Sequence, residues 1–194
     1  MLNSANNEIL TRVGPGTAMG GLFRQFWQPA LLCEELPAPD CPPVRVRLMG
    51  ENFVAFRDSS GKVGLLDAHC PHRLAELFFG RNEEGGLRCV YHGWKFSVTG
   101  ELLDMPSEPA GSPMRCNPNI RAKAYPVHEA GGIVWAYLGP QECVPPLPQM
   151  EFMSLPAQNF YTSKCLMKCN YQQALEGSSD TAHLIFLHRS IAPM

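Results

Sequence analysis

Nowhere in this chain do apolar residues run for the roughly 18 positions that a membrane span needs, so no membrane association is expected. The opening Met1-Leu-Asn-Ser-Ala-Asn-Asn-Glu8 has neither a basic start nor an apolar core. That leaves no secretory leader and points to a cytoplasmic protein. An excess of one charge is missing as well: 16 Lys+Arg face 18 Asp+Glu, a net of −2, which excludes nucleic acid as an expected partner. Internal repeats are absent. With 18 Pro and 17 Gly among 194 residues there is little room for a helical bundle, and many short strands and turns are expected. The eight Cys do not imply a disulfide framework, because a chain without an export signal meets a reducing compartment, where metal binding outranks disulfides. Cys33, Cys41, Cys116, Cys143, Cys165 and Cys169 have no evident partners, and the C-x3-C pair Cys165/Cys169 has no His nearby.

What is present is Cys70-Pro-His72, sixteen residues, then Cys89-Val-Tyr-His92. Two short loops each offer one thiolate and one imidazole. A [2Fe–2S] cluster with two Cys on one iron and two His on the other, the Rieske centre, needs that set. Neutral imidazoles remove negative charge from one iron, so reduction is easier: roughly −150 to +300 mV, against about −400 mV for plant-type ferredoxins. Cys2His2 also suits tetrahedral zinc, although zinc sites more often pair Cys with Cys and His with His. Pro71 fixes φ between two ligands and removes one N–H. Gly93 permits a backbone conformation that a Cβ would block. Trp94 and Phe96 alternate with Lys95 and read chiefly as core packing.

Residues 18–29 read as a short helix stopped by Pro29. Strands are expected over 44–48, 53–57, 63–66, 87–91 and 95–98, and 121–128 with 133–138 flank Glu-Ala-Gly-Gly as a hairpin. The Pro-rich run Gly139-Pro-Gln-Glu-Cys-Val-Pro-Pro-Leu-Pro148 places a domain boundary near residue 145. The expectation is a mainly β protein: an antiparallel β-domain with an N-terminal helical segment over 1–145, then a second section over 146–194, which the resemblance described below makes the start of an α+β catalytic domain.

Downstream lies Asn170-Tyr-Gln-Gln-Ala-Leu-Glu176-Gly-Ser-Ser-Asp180-Thr-Ala-His183-Leu-Ile-Phe-Leu-His188. His183 and His188 would lie about 140° apart on a regular helix, so a distortion or bend is required if both are to meet one metal. Asp180, three residues before His183, is better placed to reach it. Read alone, Asp180 is equally well a surface charge and His183 a core or capping residue.

Several segments together resemble the Rieske non-haem iron oxygenases, in particular phthalate 4,5-dioxygenase-like oxygenase components. They are Thr11-Arg-Val-Gly-Pro-Gly-Thr17, Trp27-Gln-Pro29, Val54-Ala-Phe-Arg57, Cys70-Pro-His-Arg73, Phe78-Phe-Gly-Arg-Asn-Glu83, Leu87-Arg-Cys-Val-Tyr-His-Gly-Trp-Lys-Phe96 and Asp104-Met-Pro-Ser-Glu-Pro109. One departure is Leu74, where a small residue such as Gly is expected. Respiratory Rieske proteins resemble this pattern too, but add a Cys to each loop, and none stands here. The resemblance implies a Rieske antiparallel β-domain with two cluster-binding hairpin loops, holding a [2Fe–2S] cluster on Cys70, His72, Cys89 and His92. It implies His183 and His188 as two ligands of mononuclear Fe(II), with Asp180 as the carboxylate bridging the two centres by hydrogen bonds. Asn170 and Tyr171 match polar positions near the iron, and Glu176 an acidic one. The third iron ligand should be a carboxylate well downstream, and none follows His188, so the chain reads as the N-terminal part of an oxygenase α-subunit. Implied partners are an NAD(P)H-dependent flavin/iron–sulfur reductase, O2, an aromatic carboxylate substrate and neighbouring subunits in a trimer or hexamer. The competing reading is an electron-transfer module like a Rieske ferredoxin, which would not need residues 150–188.

Overall fold

The computed structural model describes residues 3–189. The chain opens with α1 (Ser4–Thr11) and α2 (Ala18–Phe23), each started by a side-chain cap. Asn3 Oδ1 accepts from the Asn6 N–H at 2.8 Å, and Thr17 Oγ1 from that of Gly20 at 3.1 Å. The helix expected to run to Pro29 ends at Phe23. Gly20 and Gly21 weaken so short a helix, and Trp27–Leu32 pairs as strand β1 instead. Pro29 is tolerated there because β1 lies at a sheet edge with a register shift between Pro29 and Leu31.

Ten more strands follow: β2 (Val44–Leu48), β3 (Glu51–Arg57), β4 (Val63–Asp67), β5 (Arg81–Glu83), β6 (Gly86–Arg88), β7 (Lys95–Phe96), β8 (Leu102–Asp104), β9 (Ala124–Tyr125), β10 (Val127–Ala130) and β11 (Ile133–Tyr137). Their antiparallel pairings make three sheets in the orders β1-β11-β10, β2-β3-β4-β9 and β5-β6-β7-β8. The strands expected over 87–91 and 95–98 are cut short. Cys89 begins a turn, and Ser97 Oγ accepts from the N–H groups of Thr99 and Glu101, which ends β7 at Phe96. In the last hairpin Glu129 and Ala130 stay in the strand, and the two-residue turn is Gly131-Gly132. Both have positive φ, as a primed turn requires.

The middle sheet is buried on both faces, and its sequence shows why. Successive side chains of β3 point to opposite sides. Phe53 and Ala55 join one apolar cluster with Leu65, Val134 and Ala136, while Val54 and Phe56 join a second with Leu66, Leu77, Leu87 and Phe96. Phe53-Val-Ala-Phe56 is therefore a continuous buried run, the pattern of a strand covered on both sides. The second cluster also contains Cys70, Cys89 and Trp94, so the core that closes the domain is also the floor of the two Cys/His loops. Each large buried side chain contributes roughly 1.5–3 kcal/mol.

The segment after β11 packs back on the domain. Trp27 Nε1 donates to the Pro145 carbonyl at 2.8 Å, Thr162 Oγ1 to that of Gly131 at 3.0 Å, and Lys164 meets Glu35 at 2.6 Å. It ends in α3 (Tyr171–Ser179) and α4 (His183–Leu187). No helix among the described residues is long and apolar enough to cross a membrane.

Arg57 ties two sheets together. From β3 its guanidinium donates to both carboxylate oxygens of Glu129 on β10, at 2.6 and 3.0 Å, and to the carbonyls of Leu36 and Gly61. These hydrogen bonds hold the Glu129 carboxyl below its usual pKa. A group lowered in this way stabilises the fold above its unfolded value, near 4.3, and stops doing so as pH falls through the folded value. Glu129→Gln is expected to lower stability at neutral pH by up to about 1 kcal/mol, kept small by the partial exposure of Glu129. Denaturant midpoints of the two proteins should converge below about pH 4. A gap that stays constant across that range would contradict the assignment.

Candidate metal centre

The two Cys/His loops are built alike. In the first, Cys70 N–H donates to the Ala75 carbonyl at 2.8 Å, and Leu74 N–H returns to the Cys70 carbonyl at 2.9 Å. In the second, Cys89 N–H donates to the Trp94 carbonyl at 2.8 Å, and Gly93 N–H to the Cys89 carbonyl at 3.1 Å. The fourth residue after each Cys takes a left-handed backbone, Leu74 at φ +56° and Gly93 at +76°. Leu74, the departure noted in the sequence, thus occupies the counterpart of Gly93 with the same conformation. The first loop is closed at its base by an antiparallel bridge between His69 and Glu76, and the second caps the β6–β7 hairpin.

The four donors lie at two depths. Cys70 and Cys89 are 2% and 3% exposed, whereas His72 and His92 sit half-buried nearer the surface, ring centroids 4.5 Å apart. Burial pushes the Cys70 thiol up to about 11, opposed by the N–H groups of His72 and Arg73 and reinforced by the neighbouring Cys89 thiol. Two adjacent buried thiols become thiolates only with a cation to balance them. Burial also lowers the His72 pKa, with His92 and Arg73 adding to the effect, which keeps the imidazole neutral as a metal ligand must be.

The supporting contacts converge on the second loop. Arg88, next to Cys89, donates to the Gly93 carbonyl and to Asp104, each at 2.8 Å, and to Glu83 at 2.7 Å. Arg88 holds the Asp104 carboxyl below its ordinary range. Trp94 is buried and stacks on His72 with centroids 4.3 Å apart and planes 3° apart, and its indole N–H donates to Ser107 Oγ at 3.2 Å. Reading the sequence missed Arg88 and Ser107 and took Trp94 for packing. The only signal for Trp94 was its place two residues after His92.

Among the described residues no three His, Cys, Asp or Glu side chains gather around a single point as one ion would need. A two-iron group needs only two donors at each end, thiolates at one and imidazoles at the other, so this donor set fits a [2Fe–2S] cluster.

A second constellation lies at the α3–α4 junction. The helix is broken there: Asp180 caps the end of α3, its Oδ1 accepting the Ala182 N–H at 2.8 Å and its Oδ2 lying 3.3 Å from His183 Nδ1. That backbone hydrogen bond is the main reason the Asp180 carboxyl is lowered. His188 ends α4 with φ −104° and ψ 15°, off helical geometry, and its ring comes to 5.4 Å from that of His183. The break in the helix falls before His183, and His183–Leu187 is a single helical turn. Asn170 and Tyr171 point elsewhere than the sequence suggested. Asn170 Nδ2 donates to the Thr11 carbonyl at 3.0 Å, the Tyr171 hydroxyl donates to the Leu10 carbonyl, and the Tyr171 ring packs edge-on to Phe23. They fasten α3 to the N-terminal segment. Glu176 receives the Gln173 amide at 3.2 Å on α3 itself.

Residues 26–126 match the Rieske [2Fe-2S] domain family, a stretch that holds both loops and more than half of the chain. The chain belongs to that family. It is 50% identical over 189 residues to the 3-chlorobenzoate-3,4-dioxygenase oxygenase subunit of Comamonas testosteroni, covering 97% of this chain and 43% of that protein. It is 45% identical over 190 residues to the phthalate 4,5-dioxygenase oxygenase subunit of Pseudomonas putida, covering 98% and 43%. Among solved structures, dicamba monooxygenase with non-heme iron and dicamba matches with a TM-score of 0.58 and 28% identity, over 66% of this chain and 38% of that one. The chain thus spans less than half the length of these relatives.

The equivalence of the two turns has a measurable consequence. A left-handed non-Gly residue costs roughly 1–2 kcal/mol, and Gly costs about 0.5–1 kcal/mol in chain entropy. Leu74→Gly is therefore expected to stabilise the folded protein by up to about 1 kcal/mol. Gly93→Ala should destabilise it by more than about 1 kcal/mol, because the added Cβ would also lie 2.6 Å from Pro106 Cγ. Denaturant melts of both variants check this, and shifts of the same sign would contradict it.

Proposed function

We propose that this chain is the electron-accepting part of the oxygenase component of a Rieske-type aromatic-ring-hydroxylating system. The observation that carries the reading is the sorting of two buried thiols from two outer imidazoles, joined in one chain to Asp180, His183 and His188. When bound, the [2Fe–2S] cluster supplies one-electron storage and Fe(II) supplies O2 activation. Cys70 and Cys89, in the buried floor of the second core, and His72 and His92, nearer the surface, would hold the cluster. Asp180 accepts the His183 Nδ1 proton, fixing the tautomer that leaves Nε2 free for the metal. His183 and His188 supply two of the three iron ligands, and a carboxylate from elsewhere in the longer subunit completes the set. Residues 1–145 form the Rieske domain and 146–194 begin the catalytic domain.

Support for the oxygenase reading over a ferredoxin-like one comes from residues 150–188, which a small electron carrier does not need, and from the oxygenase subunits that the chain resembles across that segment. Electrons come from an NAD(P)H-dependent reductase, and the substrate is an aromatic carboxylate, by likeness to relatives that carry benzoate and phthalate in their names. The subunits assemble as trimers or hexamers in the cytoplasm.

Anaerobically purified, iron-loaded protein is expected to contain two irons and two labile sulfides per chain, with a third iron only where the mononuclear site is complete. Cys89→Ser should abolish the cluster signal in electron paramagnetic resonance; zinc without sulfide would overturn the reading. In the full-length subunit, Asp180→Asn is expected to leave both metals largely in place and slow cluster oxidation in single turnover by about 10–100-fold. An unchanged rate would make Asp180 a surface charge.

A further inference from the structure

The geometry points to Trp94 as a positioning residue for His72, setting the plane of that imidazole and thereby the reduction potential of the cluster; the inference rests on the cluster reading above. Four observations combine. The indole and imidazole planes are parallel within 3° at a centroid separation of 4.3 Å, so the indole face fixes the imidazole plane. Trp94 is 3% exposed, so its ring has no freedom to follow a moving partner. Its position is fixed at both ends: the backbone carbonyl takes the Cys89 N–H at 2.8 Å, and the indole N–H reaches Ser107 Oγ at 3.2 Å. Finally, the residue belongs by sequence to the second loop but places its ring on a ligand of the first. The two loops are thereby held in mutual register.

His92 has no equivalent support. Its aromatic neighbour is Tyr91, 60% exposed and tilted by 40°. The two imidazoles, both half-buried, therefore stand in different surroundings, one stacked on a buried ring and one beside an exposed, tilted ring.

The direction of the redox effect follows from two arguments with the same sign. The π face of the indole is negative, which disfavours an added electron beside it. Burying one side of His72 also excludes water, which would stabilise the more charged, reduced cluster. Both hold the potential down, so removing the ring should raise it.

The test compares wild type with Trp94→Leu, Trp94→Phe and Ser107→Ala, all loaded with cluster. Iron and labile sulfide are measured first, then the g values of the reduced state and the reduction potential. Trp94→Leu is expected to raise the potential and change the g anisotropy at full cluster content. Trp94→Phe, which keeps a stacking ring, should recover most of the wild-type values. Ser107→Ala, which frees the indole, should shift both in the same direction by less. Trp94→Leu with full cluster and wild-type g values and potential would show that Trp94 is packing alone. If Trp94→Leu takes up no cluster, Ser107→Ala decides: a shift supports the assignment and wild-type values overturn it. A wild-type chain without labile sulfide would instead overturn the cluster reading itself.

Discussion

Two thiols that sit side by side in an apolar core are the constraint on which this structure depends. Cys70 and Cys89 are as buried as the Leu and Phe around them, and burial pushes the Cys70 thiol up, against the thiolate form that a metal would need. A cationic group must balance them. The depth at which they lie follows from one turn used twice: a Cys N–H bonded five residues ahead, a return bond from the fourth residue, and a left-handed backbone at that residue. Because the turn repeats, both Cys sit at its buried start, while the His residues stand nearer the surface at different offsets, two after Cys70 and three after Cys89.

The rest of the domain serves as the floor and walls of this site. Strand β3 sends alternate residues into two apolar clusters, one joining the β1-β11-β10 sheet to the β2-β3-β4-β9 sheet and one carrying the Cys pair. A weakened central sheet would therefore be felt at the loops. Arg88 acts from the side, joining the backbone of the second loop to Asp104 and Glu83 at the ends of two strands. Folding and cofactor binding thus draw on the same contacts, as in other metal domains where a preformed site does not exist in the unfolded chain.

Much of this was legible in the sequence. The Cys and His spacing indicated the donor set, and the run Phe53-Val-Ala-Phe56 indicated a strand, though not that both its faces are covered. The left-handed turn at Leu74 was signalled only by the small residue expected there; its φ of +56° and the match of hydrogen bonds with the Gly93 loop show it. Residues 18–29 were read as one helix stopped by Pro29, but the helix ends at Phe23 and Trp27–Leu32 forms a strand. That strand is specified by pairing with β11, about a hundred residues later. Asn170 and Tyr171 suggested a polar approach to a metal, and their side chains instead bind Leu10 and Thr11, a contact across the length of the chain that no local pattern encodes. The five-residue spacing of His183 and His188 called for a departure from a regular helix, and the backbone of His188 leaves helical geometry at φ −104°.

The central claim is that two imidazoles and two thiolates share one two-iron group in an ordered way. Electron spin-echo spectroscopy of the reduced protein tests it most directly, because an unpaired electron on the His-ligated iron couples to each bound nitrogen. The expected result is strong coupling to two imidazole nitrogens that differ from each other, since His72 is stacked on a buried ring and His92 is not. Absence of coupled nitrogen, or coupling to one imidazole alone, would contradict the account.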